Sequence, residues 1–117
     1  MDLNTLENQT HIEVNQCAFI RAIAMWERTP NTLKVRLAIT NECFVQMYFN
    51  TRKDWTSYTL ILRDARIYGR DNDGHGWHRH PYGNPQDHDF SAEGMRPVTF
   101  REFLEEIQEI LISAGVL

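Results

Sequence analysis

The stretch Leu33-Lys34-Val35-Arg36-Leu37-Ala38-Ile39-Thr40 alternates apolar and polar residues with a period of two. Successive side chains of an extended strand point to opposite faces, so Leu33, Val35, Leu37 and Ile39 share one side, and Lys34, Arg36 and Thr40 the other. That period excludes a helix here. It demands partner strands in register and an element that covers the apolar side.

The partners follow in the chain. Cys43 to Phe49 is rich in β-favouring residues, including Phe44, Val45, Tyr48 and Phe49. Phe44, Tyr48 and Phe49 read as core residues in preference to a base-stacking platform. After the polar loop Asn50 to Asp54, Trp55 to Leu62 alternates again, with Tyr58, Leu60 and Leu62 on one side. Arg63-Asp64 interrupts the pattern, and Ala65 to Arg70 resumes it. Upstream, Cys17 to Arg28 fits both periods: Phe19, Ile23 and Trp26 could line a helix, whereas Ile20, Ala22, Ala24 and Trp26 could line a strand. The turn composition of Thr29-Pro30-Asn31-Thr32 favours the strand. Links this short join antiparallel neighbours, because a parallel pair needs a long crossover. The expectation is an antiparallel β-meander of about five strands within residues 17–70. Residues 1–16 are polar, and a short helix around Leu3 to Gln9 competes there with a frayed end.

The cover is written at the C-terminal end. Thr99 and Glu102 have capping-box spacing, and Val98 and Phe103 occupy the staple positions. Phe103, Ile107, Ile110, Leu111 and Ala114 recur at helical spacing, and Glu102, Glu105, Glu106 and Glu109 take the opposite face. Gly115 suits a helix stop. A helix over 99–114 packed on the sheet completes an α+β fold, and 117 residues suit one domain. Neither a signal peptide nor a membrane span is expected, since no run of about eighteen apolar residues occurs. Cys17 and Cys43 lack metal-ligand spacing and read as free thiols of a cytoplasmic protein. The net charge is −4, yet residues 17–80 carry ten Lys or Arg against six Asp or Glu. An acidic chain does not advertise nucleic-acid binding, but a basic face remains open because arrangement matters more than total charge.

Function points to the stretch Tyr68 to His80. His75, His78 and His80 lie within six residues there, beside Arg70, Asp71, Asn72, Asp73, Trp77 and Arg79. Gly74 and Gly76 allow a sharp turn. So polar a segment reads as a loop after the last strand, continuing into the Pro- and Gly-rich segment that ends at residue 97, which contains His88. Four readings of the loop stand open. In one, His75, His78 and His80 bind zinc or another transition metal, with His88, Asp71 or Asp73 completing the shell. In another, needing no cofactor, the same three histidines act as acid and base in RNA cleavage. Arg70 and Arg79 would then hold phosphate, and Tyr68, Trp77, Tyr82 or Asn72 would contact the RNA. The third is a partner-binding loop anchored by Trp77 and the arginines. In the fourth these groups hydrogen-bond locally, Asp71-Asn72 forming an Asx-type turn. No nucleotide-binding glycine pattern or nucleophile elbow occurs, and His11 stands alone without an assigned role.

Arg70-Asp71-Asn72, His75-Gly76 and His78-Arg79-His80, followed by the helix Thr99 to Ile112, resemble the TumE family of bacterial toxin–antitoxin proteins. Its members often show Arg-x-Asp-Asn after a strand, then a histidine-rich loop and an acidic C-terminal helix. Here Arg70 adjoins Asp71 directly, one residue short of that spacing. The resemblance spans roughly residues 57–113. It implies a cytoplasmic toxin component paired with a DNA-binding antitoxin. RNA as the target is an analogy with other small bacterial toxins joined to the acid–base reading of the histidines.

Overall fold

The alternation over residues 33–39 becomes burial: Leu33, Val35 and Leu37 expose no surface and Ile39 almost none. The computed structural model describes residues 2–117. In chain order it contains α1 (Leu3–Gln16), β1 (Ala22–Arg28), β2 (Thr32–Ala38), β3 (Cys43–Asn50), β4 (Trp55–Leu62), β5 (Ala65–Asn72), β6 (Trp77–His80) and α2 (Phe100–Ser113). The strands form one antiparallel sheet in sequence order, β1-β2-β3-β4-β5-β6. The α+β meander with a C-terminal helix on the sheet is the expected architecture. Its sixth strand, β6, comes from the segment expected to be loop.

Both helices pack on the same face. Val35, Val45, Met47, Leu60 and Tyr58 meet Phe103, Ile107 and Leu111 of α2 and Leu3 and Val14 of α1 in a single core. Tyr58 is its aromatic hub, with ring centroids 6.1 Å from Phe49, 5.6 Å from Phe100 and 5.3 Å from Phe103. Each such side chain contributes about 1.5–3 kcal/mol relative to exposure. The capping box at α2 is complete: Glu102 N–H donates to Thr99 Oγ1 at 3.1 Å, and Thr99 N–H to Glu102 Oε1 at 3.0 Å. At the other end Gly115 takes φ +76°, and the amides of Gly115 and Val116 donate to Ile112 and Leu111, closing a Schellman motif. Glu106, expected to face solvent, instead points inward to Tyr68 and Arg70.

The N-terminal segment is helical throughout α1. Its own apolar stripe is thin, so tertiary contacts stabilise it. His11 stacks on Trp26 at 3.8 Å, and Trp26 Nε1 donates to Glu7 at 2.7 Å. The β4–β5 connection is a two-residue turn in which Arg63 and Asp64 have φ of 49° and 65°, the pattern of type I′. Glu42 holds it by accepting from Arg63 through both backbone and side chain.

Neither helix covers the second face of the sheet. Lys34 and Arg36 from β2, Phe44, Gln46 and Tyr48 from β3, and Ser57 and Thr59 from β4 lie there, all half-buried. Phe44 and Tyr48 are therefore not core residues as expected; of the three aromatics only Phe49 faces the helices. Both cysteines are free. Among the described residues no helix is long and apolar enough to cross a membrane.

Candidate metal centre

Strand pairing sorts the histidine segment into two sides. Asp71 pairs with His78 and Gly69 with His80, so these residues share the helix-free face. Arg70 pairs with Arg79 and Asn72 with Trp77, and those four point the other way. An isolated bridge between Arg79 and Asp89 continues the alternation into the following loop. His88 and Phe90, which flank Asp89, thereby arrive on the side of His78 and His80. The His88 ring centroid lies 5.2 Å from that of His78 and 4.8 Å from that of His80.

Three donor atoms converge closely. His78 Nε2 and His80 Nε2 are 3.2 Å apart, His80 Nε2 is 3.1 Å from Asp71 Oδ2, and His78 Nε2 is 3.7 Å from the same oxygen. Ligand atoms of His78, His80 and His88 all lie within 4.8 Å of one another. Bonds of 2.0–2.1 Å around a tetrahedral zinc separate neighbouring ligand atoms by about 3.3 Å, close to the shorter of these distances. His80 is 3% exposed and His78 8%, whereas His88 faces solvent. The cluster is thus closed beneath and open above.

Hydrogen bonding fixes the state of His80. Its Nδ1 lies 3.1 Å from the Pro85 carbonyl, which can only accept, so Nδ1 carries the proton. In a neutral ring Nε2 then presents a lone pair to His78 and to the Asp71 carboxylate. Burial, reinforced by the Arg66 guanidinium, pushes the imidazole below the ordinary histidine value and favours that neutral ring. A lone pair facing a carboxylate oxygen is repulsive unless a cation or a proton stands between them. The Nδ1–H bond to a carbonyl and the 2.7 Å bond from Ser57 Oγ to Asp71 Oδ1 are contacts of the kind that orient ligands in metal sites.

The other sequence candidates lie elsewhere. Arg70, expected to hold phosphate, is fully buried on the helix side. Its Nε and Nη2 grip Glu106 at 3.1 and 2.7 Å, and Nη1 and Nη2 also bind Glu93. No substrate reaches it. Arg79 is on the same side, paired with Asp89 at 2.6 Å. Tyr68 donates to Glu106 at 2.7 Å, and burial with that carboxylate pushes its hydroxyl up to about 12. Trp77 packs 6.0 Å from Tyr58, again away from the histidines. Tyr68, Arg79 and Tyr82 line a separate hollow of about 370 Å³ with Glu106. Asn72 and Asp73 accept from the amides of Gly74 and His75, making the Asx-type turns that shape the β5–β6 link. His75 stands exposed in that link, outside the cluster. Of the expected ligands, His78, His80 and His88 come together, and Asp71 rather than Asp73 joins them. Ser57, Pro85 and Arg66 were not singled out from the sequence. The β4–β5 register, which sets Ser57 opposite Asp71, is the one signal that reveals Ser57. Compared with models of known families, with curated proteins and with solved structures, the chain has no match.

Proposed function

We propose that this protein is a small metal-binding domain whose transition-metal centre, zinc in the first instance, is built from His78, His80 and His88 with Asp71. The single observation that carries the reading is the approach of His78 Nε2, His80 Nε2 and Asp71 Oδ2 at 3.1–3.7 Å. Imidazole and carboxylate together suit zinc and its neighbours in the first transition row. His78 and His80 would hold the ion from β6, Asp71 from β5 and His88 from the loop. Bound there, the metal would act as a Lewis acid on its open side. The protein's own contribution is to keep His80 in one tautomer through Pro85 and the carboxylate in one orientation through Ser57.

The test is elemental analysis of untagged protein purified without chelator. Close to one equivalent of metal is expected for the wild type, and a large loss for His80→Ala. Trace metal in both, after incubation with zinc and gel filtration, contradicts the reading.

A second reading uses the same face without metal. His78 and His80 would share a proton across their 3.2 Å contact and serve as acid and base on RNA, in a toxin restrained by a DNA-binding antitoxin. The contact favours it, together with the resemblance to the TumE family. Against it, Arg70 and Arg79 are both committed to carboxylates. Expression without a partner should slow growth, and His78→Ala should relieve the effect. Unimpaired growth with the wild type removes this reading. A non-catalytic partner-binding module is the outcome if both tests fail.

A further inference from the structure

Arg66 places a guanidinium beside the histidine cluster, and the ligand set of the metal reading does not include it. It pairs with Ile61 of β4 and therefore projects on the helix-free face. Its stem runs across Gly69 next to His80. A Cβ at Gly69 would lie 3.6 Å from Arg66 Cδ and 3.6 Å from His80 Cδ2, and 3.2 Å from the Tyr58 carbonyl. Both groups thus border the same position, which sets the arginine stem next to the imidazole, and only the Tyr58 carbonyl is tight against a side chain there. Arg66 Nη2 shares the Pro85 carbonyl with His80 Nδ1, through a long contact of 3.4 Å. Arg66 Nε is buried with no partner.

The arginines on the helix side behave differently. Arg70, Arg79 and Arg96 each hold at least one carboxylate. Arg66 forms no ion pair among the described residues. A buried guanidinium donor without an acceptor is costly, since a desolvated polar group needs a hydrogen bond. With a divalent ion at the cluster beside Asp71, Arg66 adds positive charge that no ion pair among the described residues offsets. The other buried arginine Nε without a partner belongs to Arg36 on β2, about 14 Å away by strand spacing, where the guanidinium already lies over the Phe44 ring.

We infer that Arg66 and the metal centre together form the binding site for an oxyanionic ligand, a phosphoryl or carboxylate group, with one oxygen on the metal and another on the guanidinium. The inference rests on the metal reading of the same cluster. The guanidinium offers planar N–H donors to the oxygen that the metal leaves free, and the ligand's negative charge offsets that of the arginine. The open side of the cluster, at exposed His88, admits the ligand from solvent.

The test uses the cobalt(II)-loaded full chain, whose visible absorption reports on ligands at the metal. Inorganic phosphate and acetate are titrated into wild type, Arg66→Gln and Arg66→Lys. The expected result is a saturable spectral change in the wild type and an affinity at least tenfold lower in Arg66→Gln at unchanged cobalt stoichiometry. Arg66→Lys should fall between, because it restores charge without the fork. A response to phosphate alone assigns a phosphoryl ligand; an equal response to acetate assigns a carboxylate. If the wild type binds cobalt but neither anion alters its spectrum, or Arg66→Gln responds as the wild type does, the anion site is overturned and the metal centre stands. If the wild type takes up no cobalt, the metal reading fails and the anion site with it.

Discussion

The Nε2 atoms of His78 and His80 face each other across 3.2 Å. They sit two residues apart on an edge strand, where a period of two stacks them on one face. His80 Nε2 presents a lone pair there, with the Asp71 carboxylate also at hand, so the contact calls for a cation or a proton between the two nitrogens. The proposed metal centre rests on that pair.

Within the cluster the histidines are expected to differ in weight. His78→Ala and His80→Ala should each abolish stoichiometric zinc binding. His75→Ala should leave it at the wild-type level, because that residue stands in the exposed β5–β6 link. Isothermal titration with zinc measures this, and loss of binding in His75→Ala would contradict the ligand assignment.

Residues behind the ligands should matter less but measurably. Ser57 orients the Asp71 carboxylate, and Asp89 ties Arg79 to the loop that carries His88. Ser57→Ala and Asp89→Asn are each expected to weaken zinc affinity by roughly 10-fold, at the lower end of the range for supporting contacts of metal ligands. Unchanged affinity in both would mean the ligands are held by other means.

Arg70 carries structure rather than substrate. It is fully buried between Glu106 and Glu93, and removing one partner of a buried ion pair costs about 3–5 kcal/mol. Glu93 is half exposed and can rehydrate, so Arg70→Ala should destabilise by about 3 kcal/mol, the lower end of that range. Urea denaturation measures it. A change below about 1 kcal/mol, the worth of a surface pair, would show that the pair is not buried in solution.

The same network makes a prediction about acid. Hydrogen bonds from Arg96 and then Arg70 hold the Glu93 carboxyl down at about 2, and bonds from Ser91 with Arg79 hold Asp89 at about 2. A carboxylate whose folded value lies below its unfolded one stabilises the fold fully above the unfolded value, near pH 4–5. That contribution is lost as pH falls towards 2. Thermal melts between pH 6 and about 2.5 should therefore show falling stability, with a shallower fall in Glu93→Gln. An identical slope in the variant would remove Glu93 from this role.

How much of this was legible in the chain differs by element. β2, β3, β4 and the capped α2 could be read because alternation and capping are local signals. α1 could not be delimited, since its stripe is thin and its docking depends on Trp26, which pairs with β2. β6 was hidden for a different reason. A polar strand is acceptable at a sheet edge on a face that no helix covers, and composition alone does not distinguish it from a loop. Arg70 was misassigned because its partners lie 23 and 36 positions away, and nothing local announces a buried ion pair. The clustering of His78, His80 and His88 was foreseeable as chemistry, but the Arg79–Asp89 bridge that brings His88 round is a tertiary pairing.

The metal centre is tested most directly by X-ray absorption at the zinc edge of the zinc-loaded wild-type protein. The structure predicts nitrogen and oxygen ligands at about 2.0–2.1 Å with the multiple-scattering pattern of two to three imidazoles, lost in His80→Ala. A spectrum of hydrated zinc without imidazole scattering, or one unchanged in His80→Ala, would contradict it.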